Sequence, residues 1–276
     1  MAEKAKEQII SAHKAIGVID SGVGGLTVVK EISKLLPRES IIYFGDTARM
    51  PYGPRSYEEV RRFTFQMIDF LQHQEIKMIV VACNSATAAG LYQYQEACQQ
   101  PVVGVIEPGV RAALKSSKSG RIGVIGTVGT INSSEYEKKL KENNGNLYLA
   151  SKACPLFVLL VENNLVDTPE ARRVAMEYLD PLVNQEIDCL ILGCTHYPLM
   201  KELIQDVVGP SVTLIDSAKE IAAEVAAILD RDNMNNPLEC EVPRYRFFVS
   251  GSTASFEEVG SKLLDRKIKA YQVVLS

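Results

Sequence analysis

Two stretches of this chain read alike, and together they restrict the fold more than any other feature. Residues 78–86 run Met-Ile-Val-Val-Ala-Cys-Asn-Ser-Ala, and residues 190–198 run Leu-Ile-Leu-Gly-Cys-Thr-His-Tyr-Pro. Each is a short apolar run that closes on a cysteine and then turns polar. Continuous apolar runs of this length suit parallel strands covered on both faces. Pro198 suits the first turn of a following helix, and Asn84 or Ser85 suits a helix cap. The thiols of Cys83 and Cys194 are therefore expected at the carboxyl ends of two strands, the edge at which open α/β sheets bind ligands. A lone thiol there would be unremarkable, because cysteine is a common core residue. Two in equivalent contexts call for a shared explanation.

The duplication extends beyond the cysteines. Arg121-Ile122-Gly123-Val124-Ile125-Gly126-Thr127 echoes Ala15-Ile16-Gly17-Val18-Ile19-Asp20-Ser21, and residues 212–216 echo residues 102–107, a third strand read as 102–106 and ended by Glu107-Pro108-Gly109. Three matches in one order at nearly one offset predict an α/β fold of two pseudo-symmetric, doubly wound parallel-sheet domains with the active site in the cleft between them. The second half is complete by residue 214, so the helix at 218–230 and the strand at 245–249 are expected to rejoin the first. The domains are then 1–107 plus 215–276, carrying Cys83, and 108–214, carrying Cys194.

Composition narrows the partner. A net charge of -4 without a lysine or arginine run gives no footprint for nucleic acid. The charged first residues lack the apolar core of a signal peptide, and no segment has the roughly 18 apolar residues of a membrane span. The expectation is a cytoplasmic protein with reduced cysteines and a small-molecule ligand. The six cysteines form no CxxC pair and no zinc-type spacing, and a strand separates Cys189 from Cys194 and His196, so no metal is expected. Residues 1–14 read as a loosely helical leader with a solvated His13.

The loops carry the remaining polar chemistry. Asp20-Ser21-Gly22-Val23-Gly24-Gly25-Leu26-Thr27 follows the first strand. Its amides and the helix beyond are suited to a small anion such as a carboxylate, with Asp20 facing the ligand. Asp46 imitates the ribose-binding acid of a dinucleotide site, although Thr27 stands where the third glycine belongs. The Pro- and Gly-rich loop at 46–55 is either a connector or a binding loop. A helix follows at 56–74, with His73 serving its C-terminal dipole.

Thiols on opposite walls of one cleft suit two-base racemisation, in which one thiolate removes the proton from a carbon acid and the other thiol returns one to the opposite face. An ordinary thiol titrates near ~8.5, far below an amino acid's α-proton, so such a site must exclude water and stabilise a carbanion-like transition state. Cys83 is expected to gain help from a helix N-terminus, and Cys194 from His196 and the helix opened at Pro198.

The motifs Asp20-Ser21-Gly22-Val23-Gly24-Gly25-Leu26, Gly45-Asp46-Thr47 with Pro51-Tyr52-Gly53, Ala82-Cys83-Asn84-Ser85-Ala86-Thr87-Ala88, Cys154-Pro155-Leu156 and Gly193-Cys194-Thr195-His196-Tyr197-Pro198 resemble those of the bacterial glutamate racemases. The resemblance spans nearly the whole chain. It implies cofactor-independent interconversion of L- and D-glutamate, supplying D-glutamate for peptidoglycan. It implies Cys83 and Cys194 as the acid/base thiols, assisted by Asp20, Glu162 and His196. It also implies substrate contacts from Asp20, Ser21, Tyr52, Gly53, Asn84, Ser85, Thr195 and His196. The family commonly has threonine at Ser85, and proline and glycine around Glu162 where this chain has Leu159 and Asn163-Asn164. Relatives acting on aspartate usually carry an acid where His196 stands. Oligomeric state stays open, a homodimer being the form considered. The alternatives are an aspartate-type racemase, a dinucleotide-dependent oxidoreductase and a non-catalytic two-lobed binding protein.

Overall fold

The computed structural model describes residues 12–237 and 242–275, so the leader up to residue 11 and Cys240 lie outside the described residues. His13 is exposed. The chain opens with strands β1 (Ala15–Asp20), β2 (Ile41–Gly45), β3 (Ile76–Val81) and β4 (Val102–Gly104), separated by helices α1 (Leu26–Leu35), α2 (Tyr57–Gln72) and α3 (Asn84–Ala97). Every residue of β1, β2 and β3 is buried, and apart from Lys77 and the terminal Asp20 these strands hold only apolar residues and glycine. α2 forms where a cap and a 3.6-residue period coincide. Ser56 accepts the Glu59 N–H, and Val60, Phe63, Met67 and Leu71 bury one face. At its far end a His73 ring nitrogen lies 2.8 Å from the Asp69 carbonyl.

Helix α4 (Ile106–Ser116) carries the chain into β5 (Arg121–Gly126), followed by α5 (Val128–Asn132), α6 (Glu135–Asn143), β6 (Tyr148–Ala153), α7 (Pro155–Glu162), α8 (Pro169–Val183) and β7 (Cys189–Gly193). A 3-10 turn (Tyr197–Met200), α9 (Lys201–Val208) and β8 (Thr213–Asp216) complete this half. The chain then returns through α10 (Ser217–Arg231), β9 (Tyr245–Val249), α11 (Thr253–Leu263) and β10 (Ala270–Gln272). Strand β4 is shorter than the 102–106 that its sequence suggests. It stops at Gly104, and Glu107-Pro108-Gly109 lies in the first turn of α4, where a proline's missing N–H has no bond to make.

The two sheets are entirely parallel, ordered β10-β9-β2-β1-β3-β4 and β6-β5-β7-β8. Without the late strands β9 and β10, the first order is β2-β1-β3-β4, and the second repeats it strand for strand. β3 and β7 are therefore equivalent, as are β1 and β5. The crevice at the carboxyl end of each central strand pair is where an open α/β sheet presents loops to a ligand. Behind it, the buried Lys77 at the base of β3 pairs with the buried Glu39 at 2.5 Å and donates to the Ala12 and Met234 carbonyls. This contact ties the chain leaving α10 to the strand that carries Cys83. Among the described residues no helix is long and apolar enough to cross a membrane.

Candidate active site

The loop after β1 folds around its own acid. Asp20 is fully buried, and its Oδ2 accepts the amides of Gly22 and Gly25, each at 3.0 Å. The amides expected to receive a ligand carboxylate are thus occupied in part by a carboxylate of the chain. Burial raises the Asp20 pKa, against the His196 charge and the two amides that lower it. Asp20 does not line the cavity; its neighbour Ser21 does. The remaining oxygen, Oδ1, accepts from the Thr195 hydroxyl at 3.3 Å, so the first acid supports the opposite wall.

Cys83 follows β3 and is itself the N-cap residue of α3, with φ -70 and ψ 120. The capping role expected of Asn84 or Ser85 falls to neither, because both already lie in the helix's first turn. Cys83 is buried, and its sulfur lies 3.6 Å from the Ser21 hydroxyl. Burial pushes its thiol up to about 12, with the Asp20 charge adding to the effect and the Ala86 amide and Ser21 hydroxyl opposing it. At neutral pH Cys83 holds its proton.

Cys194, equally buried, follows β7. The turn beyond it is 3-10, and α9 starts only at Lys201. The expected helix N-terminus is therefore displaced from the sulfur, and a side chain stands there instead. The Cys194 sulfur lies 3.8 Å from His196 Nδ1, while His196 Nε2 lies 2.5 Å from Glu162 Oε1. Burial alone would lower the His196 pKa; the bonds and charges of Cys194 and Glu162 overcome it and raise it to about 10. A fully paired imidazolium results. Cys189, at the other end of β7, takes no part in this group.

Ser21, Tyr52, Gly53, Cys83, Asn84, Ser85, Cys194, Thr195 and His196 line a single cavity of about 20 Å³, with Met50, Pro51, Thr127 and Val158 completing the wall. The sequence-predicted residues therefore meet at one place, except that Asp20 and Glu162 stand behind Thr195 and His196. Thr127 was missed, although its signal was present: Gly126-Thr127 occupies the place in the second half that Asp20-Ser21 holds in the first. The lobes are stitched around the cavity. Ser85 Oγ lies 2.9 Å from Thr127 Oγ1, the Gly129 amide donates to the Gly53 carbonyl at 2.8 Å, and Tyr136 donates to Asn84 Oδ1 at 2.7 Å.

The 46–55 loop is a built wall. Asp46 is buried, and Tyr52 donates its hydroxyl to it. Arg49 Nε reaches both Asp46 oxygens at 3.0 and 2.7 Å, and Ser250 donates at 2.7 Å. The Met50–Pro51 peptide is cis. With these partners Asp46 is committed to the loop, which removes the acid that a dinucleotide's ribose would need.

Comparison with known proteins agrees with this geometry. Residues 16–225 match the family model described as Asp/Glu/Hydantoin racemase. A glutamate racemase of Exiguobacterium sibiricum is 49% identical over 263 residues, covering 95% of this chain and 97% of the relative. The crystal structure of glutamate racemase isoform RacE1 from Bacillus anthracis has a TM-score of 0.91 at 50% identity, covering 95% of this chain and 98% of that one. The glutamate racemase of Francisella tularensis, solved with D-glutamate, has a TM-score of 0.89 at 38% identity over 96% and 99% of the two chains. With two equivalent strand-end thiols facing one cavity and these likenesses spanning both lobes, the chain belongs to the Asp/Glu/hydantoin racemase family, among its bacterial glutamate racemases.

Proposed function

We propose that this chain interconverts L- and D-glutamate by two-thiol proton transfer and supplies D-glutamate for peptidoglycan from the cytoplasm. The observation that carries the mechanism is the pair Cys83 and Cys194, each just past the end of an equivalent buried strand and both lining one cavity. With the substrate α-carbon between them, a thiolate on one side removes the α-proton. The thiol on the other side then gives its proton to the opposite face. The configuration inverts, and the two sulfurs exchange protonation states. Cys83, protonated at rest, is suited to donate first. His196, held as a cation beside Cys194, is suited to keep that thiol's proton inventory, with Glu162 fixing the ring. Asp20 supports both walls, through the Gly22 and Gly25 amides and through Thr195.

The lobes are taken to be residues up to 107 with 215 onward, and 108–214. β8 straddles the second boundary. A cavity of about 20 Å³ holds roughly one water, so glutamate enters when the lobes part along the Ser85–Thr127 and Gly53–Gly129 seam. Closing them again excludes the water that would compete for the carbanion-like centre.

The test is incubation with L-glutamate in heavy water, following the α-proton signal and the optical rotation together. Loss of the α-proton accompanied by decay of rotation to zero supports the proposal. A protein that binds glutamate and leaves both signals unchanged is a binding module, and turnover of aspartate with glutamate untouched would move the activity to the aspartate branch.

A further inference from the structure

Tyr136 touches the immediate neighbours of both thiols. It lies on α6, buried alongside Val110, Leu140 and Ile191 of the second lobe. Its hydroxyl crosses the seam and donates to Asn84 Oδ1 at 2.7 Å, one residue after Cys83. Its ring lies flush against Gly193, one residue before Cys194, where an added Cβ would come within 3.1 Å of Tyr136 Cε2. Gly109 of α4 borders the same ring, with a Cβ there 3.6 Å from Cε1.

An amide has one acceptor end and one donor end. With the phenol donating to Oδ1, the Nδ2 group of Asn84 is directed elsewhere, and Asn84 lines the cavity. We propose that Tyr136 is a positioning residue that braces the Cys83 wall against the Cys194 wall and holds the Asn84 carboxamide with its N–H donors toward a substrate carboxylate. Burial raises the phenol's pKa, so the hydroxyl remains a donor throughout the working pH range. The brace spans the two lobes, and the amide is therefore aligned when the cleft is shut. This inference deepens the racemase reading and rests on it for the identity of the carboxylate.

Tyr136→Phe keeps the ring against Gly193 and removes the hydroxyl, which donates to Asn84 and also neighbours the buried Ser217. It is expected to raise KM for both glutamate enantiomers about tenfold, the usual effect of one buried neutral hydrogen bond, while kcat changes less than about twofold. Asn84→Ala should raise KM similarly, and the double variant should be no worse than Asn84→Ala alone, because both act through one contact. Asn84→Asp turns the cavity-facing donor into an acceptor and should weaken glutamate binding at least about a hundredfold. Binding of D-glutamate is also measured calorimetrically in the Cys83→Ser/Cys194→Ser background, where recognition is read without turnover. Tyr136-dependent binding with no racemisation by the parent protein would overturn the racemase reading and keep this one. An unchanged KM in Tyr136→Phe, additive losses in the double variant, or undiminished binding by Asn84→Asp would overturn the positioning role.

Discussion

His196 stands between a sulfur and a carboxylate, with Nδ1 3.8 Å from Cys194 and Nε2 2.5 Å from Glu162 Oε1. The ring is buried, which by itself opposes a charge, yet the two partners raise its pKa from about 6.5 to about 10. The folded protein therefore binds a proton between those values that the unfolded chain does not. This contribution to stability is full below about pH 6.5, declines through the window and is gone above about pH 10. Glu162→Gln removes one of the two supports. Between pH 7 and 10 the melting temperature of the unaltered protein should fall more steeply than that of Glu162→Gln, by at least about 2 °C, the equivalent of 1 kcal/mol in a chain of this size. Parallel melting curves across that range would show that Glu162 does not sustain the charge.

The two thiols should act as a unit without being interchangeable. A hydroxyl is a far poorer base than a thiolate, so abstraction by the replaced residue should become the slower step. Cys83→Ser and Cys194→Ser should each lose about a hundredfold or more in kcat in both directions. They should also show primary α-deuterium effects that depend on substrate handedness in opposite senses. Measuring both enantiomers in both variants decides the matter; the same asymmetry in both would mean that the sulfurs do not face each other across the substrate.

Gly24 marks a close approach between the lobes. A Cβ there would lie 2.5 Å from Thr195 Oγ1 and 2.7 Å from His196 Nδ1. Gly24→Ala should displace both side chains and lower kcat/KM at least about a hundredfold, the effect of roughly 1 Å of misplacement in an active site, with far-UV circular dichroism unaltered. Activity within about threefold of the parent would mean that the seam yields without disturbing the site.

Asp46 anchors the cavity's outer wall through Tyr52, Arg49 and Ser250. Asp46→Ala leaves the part-buried Arg49 without its carboxylate and should cost about 3 kcal/mol in urea unfolding, the range for breaking a buried ion pair. KM should rise as the Tyr52–Gly53 wall loosens. An unfolding midpoint equal to the parent's would exclude the anchoring role.

Much of this protein is legible in one dimension because burial on both faces forces a strand to be apolar throughout. The runs that end at Asp20, Cys83 and Cys194 therefore announce central parallel strands, and their spacing announces the internal repeat. The shared strand order of the two sheets is the three-dimensional form of that repeat. Ser21, Asn84 and Thr195, which follow these strands, accordingly lie along the cavity wall.

What only the tertiary structure decided is which polar groups satisfy one another. Asp20 was expected to meet a ligand, but two amides of its own loop reach it first. The helix start expected beside Cys194 gives way to His196, whose pKa is raised by Cys194 and by Glu162, 34 residues earlier in the chain. Tyr136 sits in a segment with no strong motif, and its contact with Asn84 across the seam appears only in three dimensions, as does that of Thr127 with Ser85. Periodicity and turn chemistry are local properties that a sequence carries directly, whereas hydrogen-bond partners and charge states depend on distances of a few ångströms between segments far apart in the chain, which are set only when the two lobes pack together.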